Sequence, residues 1–141
     1  MSKSLTNHRP RKRFGQNFLR DHGVIDAIAG AVGPGAEDHL VEIGPGQGAL
    51  TEILVGSGCQ LDVIELDRDL VPGLLATFSV YPNFKLHSAD ALSFDFGSLP
   101  EDGGRLRVVG NLPYNISTPP IFQLLRNTSI IRDTHFIQNS R

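Results

Sequence analysis

A single cysteine, Cys59, is the only thiol in the 141 residues. That excludes an intrachain disulfide and any multi-cysteine zinc site, and it fits a reducing cytosol. No apolar run approaches the roughly 18 residues that a membrane-spanning helix needs. The N-terminus lacks the apolar stretch of a secretory signal. The expectation is a cytoplasmic protein with neither a metal nor a membrane partner. Internal repeats and low-complexity blocks are also missing. Acid is missing from the first 20 residues, which carry Lys3, Arg9, Arg11, Lys12, Arg13 and Arg20. The rest of the chain holds seven Lys/Arg against 15 Asp/Glu, so the net charge of −2 conceals a basic arm beside an acidic body. A polyanion would suit that arm, and a solubilising leader would have the same composition.

One domain is expected at this length, preceded by a leader over residues 1–13. Val24, Ile25, Ile28, Ala29 and Val32 recur at helical spacing, predicting a helix over 21–32 that ends at Gly33-Pro34-Gly35. His39–Ile43 reads as a strand, Ala49–Val55 as a helix and Gln60–Glu65 as a second strand. A helix from about Arg68 to Phe78 tolerates Pro72 in its first turn. Phe84–His87 and Leu106–Val109 are the third and fourth strands, the latter ending at Asn111. Ser117 or Thr118 then caps a helix opened by Pro119-Pro120 and running to about Leu125, and Thr134–Gln138 begins a fifth strand. Strands alternating with helices predict an α/β fold, a parallel sheet covered by helices on both faces. Ligands of such sheets bind at the carboxyl ends of the strands, beside a switch in strand order.

The motifs fall at those ends. Gly44, Gly46 and Gly48 alternate directly after the first strand, where positive φ and a missing Cβ let a ligand approach the backbone. Glu65 ends the next strand, 21 residues after Gly44, where a carboxylate can accept from both hydroxyls of a ribose. The spacing is not that of a dinucleotide loop, and no lysine stands near to hold a triphosphate. A cofactor with a ribose and no phosphate fits, and S-adenosylmethionine is the common one. Glu42, beside the loop, suits its sulfonium and ammonium charges. Asp90, just past the third strand, can accept from an adenine amino group or cap a turn.

The fourth strand runs into Asn111-Leu112-Pro113-Tyr114. Methylating an adenine amine needs acceptors for its hydrogens, because the nitrogen lone pair is delocalised into the ring. Asn111 and a backbone carbonyl of Leu112 or Pro113 can supply two. Tyr114 offers a face on which an extruded base stacks, worth roughly 1–3 kcal/mol. Positioning in line with the sulfonium can then suffice without a general base. A loop using Asn and Pro as turn residues is the plainer reading of the same four positions.

Taken in order, Phe14-Gly15-Gln16-Asn17-Phe18-Leu19, Glu42 to Gly48, Glu65, Asp90 and Asn111-Leu112-Pro113-Tyr114-Asn115-Ile116-Ser117 resemble the ribosomal RNA adenine dimethyltransferase family. The match is nearest to its bacterial small-subunit members and covers about residues 9–132. The resemblance implies a Rossmann-like S-adenosylmethionine-dependent methyltransferase fold. It also implies transfer of two methyls to each of two adjacent adenosines near the 3′ end of 16S rRNA, within an immature small subunit. Gln16, Asn17 and Leu19 would then close over the cofactor, with Gly44 at its methionine end, Glu65 at the ribose, Asp90 with Ala91 at the adenine, and Leu66 among the cofactor contacts. Asn111 would face both the methyl group and the amine. Arg9, Arg11, Lys12 and Arg13 become RNA contacts, and Phe14 or Phe18 would shape the base pocket or pack in the core.

Members of that family are nearly twice as long, continuing through further strands into a small helical domain. The resemblance fades after Arg132, so a C-terminally truncated domain is expected. Such a chain would bind cofactor weakly, methylate poorly and pair with a second copy through its exposed sheet edge. The other readings are a 23S rRNA, DNA adenine or protein glutamine methyltransferase, and a non-catalytic RNA-binding assembly factor. A dehydrogenase is disfavoured by the glycine spacing.

Overall fold

A computed structural model describes residues 22–100, 104–112 and 129–138. The basic leader, Gln16, Asn17, Leu19, Pro113, Tyr114 and the helix expected over 117–125 lie outside the described residues. Five strands form one parallel sheet in the order β3-β2-β1-β4-β5. They are β1 (His39–Ile43), β2 (Gln60–Glu65), β3 (Phe84–Ser88), β4 (Leu106–Leu112) and β5 (Ile131–Gln138). The chain adds β2 and β3 on one side of β1, then crosses over to place β4 and β5 on the other. The switch in strand order therefore lies between β1 and β4.

The described residues hold three helices, α1 (His22–Val32), α2 (Ala49–Gly56) and α3 (Val71–Phe78), the last entered through a 3-10 turn at Arg68–Leu70. Ile25, Ile28 and Val32 form the buried stripe of α1, which Gly33 terminates at φ 54°. Pro72 sits in the first turn of α3, as its missing N–H requires.

The near-continuous apolar runs of β1, β2 and β4 are divided between two cores, because successive side chains face opposite sides of a sheet. Leu40, Leu61, Val63 and Val109 meet Ile25, Ile28, Leu50, Leu54, Leu74 and Phe78 from the helices. Val41, Ile43, Ile64, Leu106 and Val108 meet Ala91 and Phe96, with Phe94 and Leu99 packed against them. All three described helices thus share one face. The other face is covered by the 89–99 segment and its 3-10 turn at Phe96–Ser98. The helix expected over 117–125 lies outside the described residues, so the expectation of helices on both faces is met on one face among the described residues.

Three strand boundaries also differ from expectation, the first being that of β3, which continues through Ser88. β4 continues through Leu112, and β5 begins at Ile131 rather than Thr134. The reason is tertiary: Asp133 receives the guanidinium of Arg107 from β4, Nε to Oδ1 at 3.0 Å. That pairing holds a charged stretch in the sheet that looks like loop in isolation. No helix among the described residues is long and apolar enough to cross a membrane.

Candidate functional site

Register brings the predicted positions to one level. Ile43 pairs with Ile64 on one side and Gly110 on the other, while Glu65 pairs with Ser88. The next step along each strand therefore aligns Gly44, Glu65, Ser88 and the backbone of Asn111. Gly44 N donates to Ile64 O (3.0 Å) and Ala89 N to Glu65 O (3.1 Å), extending the alignment past the strands. At about 4.8 Å per strand, the row from β3 to β4 spans roughly 14 Å.

The glycine loop leaves β1 with Gly44 at φ 70°, Gly46 at 63° and Gly48 at 98°. These are values that side chains with a Cβ rarely adopt. A Cβ on Gly48 would also stand 2.6 Å from Cε2 of Phe78, so α3 fits against the loop only because this residue is glycine. The loop then opens α2, with Glu52 N donating to Gly48 O at 2.9 Å.

Two carboxylates lie buried beside this loop, Glu42 (1% exposed) and Glu65 (5% exposed). Both are on the helix-covered face, since they alternate with residues of the other core along β1 and β2. Thr51 of α2 donates from Oγ1 to Glu42 Oε1 at 2.6 Å. Asp67 N donates to Glu65 Oε2 at 2.8 Å. Neither acid has a cationic partner among the described residues. Burial pushes Glu42 up to about 8, with the neighbouring Glu65 adding to it and Thr51 opposing it. Burial likewise raises Glu65 to about 7, against backbone N–H donors from Asp67, Gly46 and Leu66.

Glu65 Oε1 is buried with no hydrogen-bond partner among the described residues, and so is Asp67 Oδ2 two residues on. Buried acceptors left unpaired are costly, and two at one strand end call for a ligand that brings donors. A vicinal diol is such a ligand. Past β3, Asp90 Oδ1 accepts from Leu92 N (3.0 Å) and so caps the turn, while its side chain is exposed. Ala91 is buried, while Leu66, directly after β2, and Leu92, four residues past the end of β3, are exposed apolar residues.

Sequence reasoning does not single out Thr51, Asp67, Leu92 or Gly110. Thr51 carries one signal, a polar residue on the buried stripe of a short helix. Asp67 caps the 3-10 turn, Oδ1 accepting from Asp69 N at 2.9 Å.

Glu42 and Glu65 have folded pKa values above their unfolded ones, so the folded state holds the extra protons. Stability should then fall as pH rises from about 4.5 to about 8. Asp62 behaves in the opposite sense. Burial alone would raise it, but His39 Nε2 at 2.6 Å and His87 Nε2 at 2.8 Å outweigh that and hold it below the usual range. Its contribution is present above about pH 4 and lost below. The ligand-free chain should therefore be most stable near pH 5 and lose on the order of a few kcal/mol by pH 8. Urea unfolding at both values checks this. Equal or greater stability at pH 8 would refute the burial argument.

A glycine loop and a strand-end acid at the switch point of a parallel sheet define a nucleoside-binding α/β fold of the methyltransferase type. Solved structures share it, among them the following two. One is a 23S rRNA methyltransferase, ErmE (TM-score 0.72, 27% identity, 84% of this chain and 46% of that one). The other is a dimethyladenosine transferase from Plasmodium falciparum (TM-score 0.65, 26% identity, 81% and 41%). Residues 7–141 match the family described as ribosomal RNA adenine dimethylase, and the chain belongs to that family. It is 65% identical over 130 residues to a ribosomal RNA small subunit methyltransferase A from Pseudomonas savastanoi pv. phaseolicola, covering 92% of this chain and 48% of the relative. The chain spans about half the length of the curated relatives it matches.

Proposed function

We propose that this chain is the cofactor-binding half of a cytoplasmic S-adenosylmethionine-dependent enzyme that dimethylates two adjacent adenosines near the 3′ end of 16S rRNA, within an immature small subunit. The observation that carries the reading is the buried Glu65 Oε1, unpaired among the described residues and level with Gly44 and Asn111. Glu65 accepts from the ribose hydroxyls, and Asp67 Oδ2 stands ready as a second acceptor. The Gly44–Gly48 loop takes the methionine end, Leu66 flanks the ribose, and Asp90 with Ala91 takes the adenine. Gln16, Asn17 and Leu19 close the pocket. S-adenosylmethionine supplies an activated methyl group when bound. Asn111 and a carbonyl of Leu112 or Pro113 accept the hydrogens of the target amine, and Tyr114 stacks on its base. Arg9, Arg11, Lys12 and Arg13 hold RNA phosphates.

The choice of 16S over 23S RNA rests on identity: 65% to a small-subunit methyltransferase against 27% to the 23S enzyme. Titration of S-adenosylhomocysteine tests the pocket. Glu65→Gln should weaken binding about tenfold, a loss of roughly 1.4 kcal/mol for exchanging a charge-assisted hydrogen bond for a neutral one. Unaltered affinity would mean that the acid does not hold the ribose. In a protein that carries this segment within the relatives' full length, Asn111→Ala should cut methyl transfer more than tenfold and leave RNA affinity little changed. Parallel loss of both would favour a binding role over catalysis.

A further inference from the structure

The buried acid pair does more than one ribose contact requires. Glu42 lies under the glycine loop, one strand from Glu65 on the same face, and meets only a neutral hydroxyl from Thr51 among its described hydrogen bonds. A carboxylate in that position is unnecessary for holding a diol, and a neutral residue would fill the space at less cost. What it adds is latent negative charge in a region shielded from water, where charges act over longer distances than at the surface.

We propose that Glu42 is a specificity-determining residue that makes the pocket sense cofactor charge, favouring the cationic methyl donor over the neutral demethylated product. The inference rests on the cofactor assignment above and deepens it. Both ligands carry the same ribose and adenine, so Glu65 and Asp90 treat them alike at contact. They differ by the sulfonium charge, which only a through-space partner can read.

Among the described residues the titratable and charged groups around the pair are few. Asp67 faces Glu65 from the segment after β2, and Arg68 and Asp69 lie exposed beyond it. Glu52 of α2 points outward, and the buried Cys59 thiol feels Glu42 from the far side. None of them is a cation buried against the pair. With Glu65 raised to about 7 and Glu42 to about 8, the pair loses its two protons in successive steps across the neutral range. As it does, affinity for the cation should climb relative to the neutral ligand.

The experiment measures equilibrium binding of S-adenosylmethionine and S-adenosylhomocysteine to this chain, without RNA, between pH 6 and pH 8.5. The ratio of the two affinities removes the ribose contact, and titration of each free ligand corrects for its α-ammonium, which the sulfonium makes more acidic in the methyl donor. In the wild type the preference for the cation should rise about fivefold over that range. In Glu42→Gln, which keeps an acceptor for Thr51, the rise should shrink to less than twofold. In Thr51→Val it should keep its size and move to higher pH, because Glu42 has lost the donor that favours its charge. A pH-independent ratio in the wild type overturns the inference whatever the variants do, and so does an undiminished rise in Glu42→Gln. Failure of both ligands to bind at any pH would instead overturn the cofactor assignment itself.

Discussion

Replacing Arg107 with alanine is expected to cost about 3 kcal/mol of folding stability. Its side chain is buried at the amino-terminal end of the sheet, where it joins four parts of the chain. Nε donates to Asp133 Oδ1 at 3.0 Å and Nη2 to Asp133 Oδ2 at 3.1 Å, tying β4 to β5. Nη1 donates to Asp38 Oδ2 at 2.9 Å, just before β1, and Nη2 also reaches Val32 O at 2.6 Å, the end of α1. Alanine would leave a cavity, an unpaired carbonyl and two carboxylates without their main partner. Both acids are partly solvated, and Asp38 keeps Arg132 and the N–H of Gly35, so the loss falls at the lower end of the range for a broken buried pair. Arg107→Lys should recover only part of it, because one ammonium cannot serve the fork and two further acceptors. Denaturant unfolding measures the change, and a loss under about 1 kcal/mol would show that water replaces the network easily. Burial would raise Asp38 and Asp133, but their hydrogen bonds to Arg107 and to other donors hold both below the usual range. The network's contribution should therefore vanish below about pH 4 and be fully present at neutrality.

That network also shows where sequence reading stops. β1 and β2 are legible to the residue, because short apolar runs bounded by Gly, Pro and Asp leave little choice. The start of β5 is not, because Arg132 and Asp133 look like loop until Arg107, 26 residues before Asp133, comes alongside. Gly44 and Glu65 are legible as a pair, since a glycine turn and the next strand's end lie a fixed number of residues apart in a strand–helix–strand unit. Asp67 Oδ2 becomes a candidate only once its burial and lack of a partner are visible. Periodicity says that a helix has an apolar face but not which side of a sheet it covers. Hence α1, α2 and α3 can be found in the sequence and their shared face cannot.

Gly110 is the clearest case of a requirement the sequence conceals, and Gly110→Ala is expected to destabilise the chain by about 3 kcal/mol. It pairs with Ile43 in the register of β4 against β1, the central strands that flank the switch point. A Cβ there would stand 2.5 Å from the carbonyl oxygen of Ile43 and 3.2 Å from its Cβ. The nearer atom is backbone in the middle of a sheet, so it cannot rotate away as a side-chain end would. Relief requires the end of β1 to move off β4, and Gly44 is the next residue. The substitution should therefore loosen the spacing between the glycine loop and Asn111, and weaken S-adenosylhomocysteine binding beyond the loss of folded protein. Gly30 supplies the control. It lies within α1, and a Cβ at this position would meet nothing within 4 Å, so Gly30→Ala should stabilise by roughly 0.5–1 kcal/mol through helix propensity alone. Thermal unfolding and ligand titration of both variants give the comparison. If Gly110→Ala stays within about 0.5 kcal/mol of wild type with unchanged affinity, close approach of β1 and β4 does not set the geometry of the pocket.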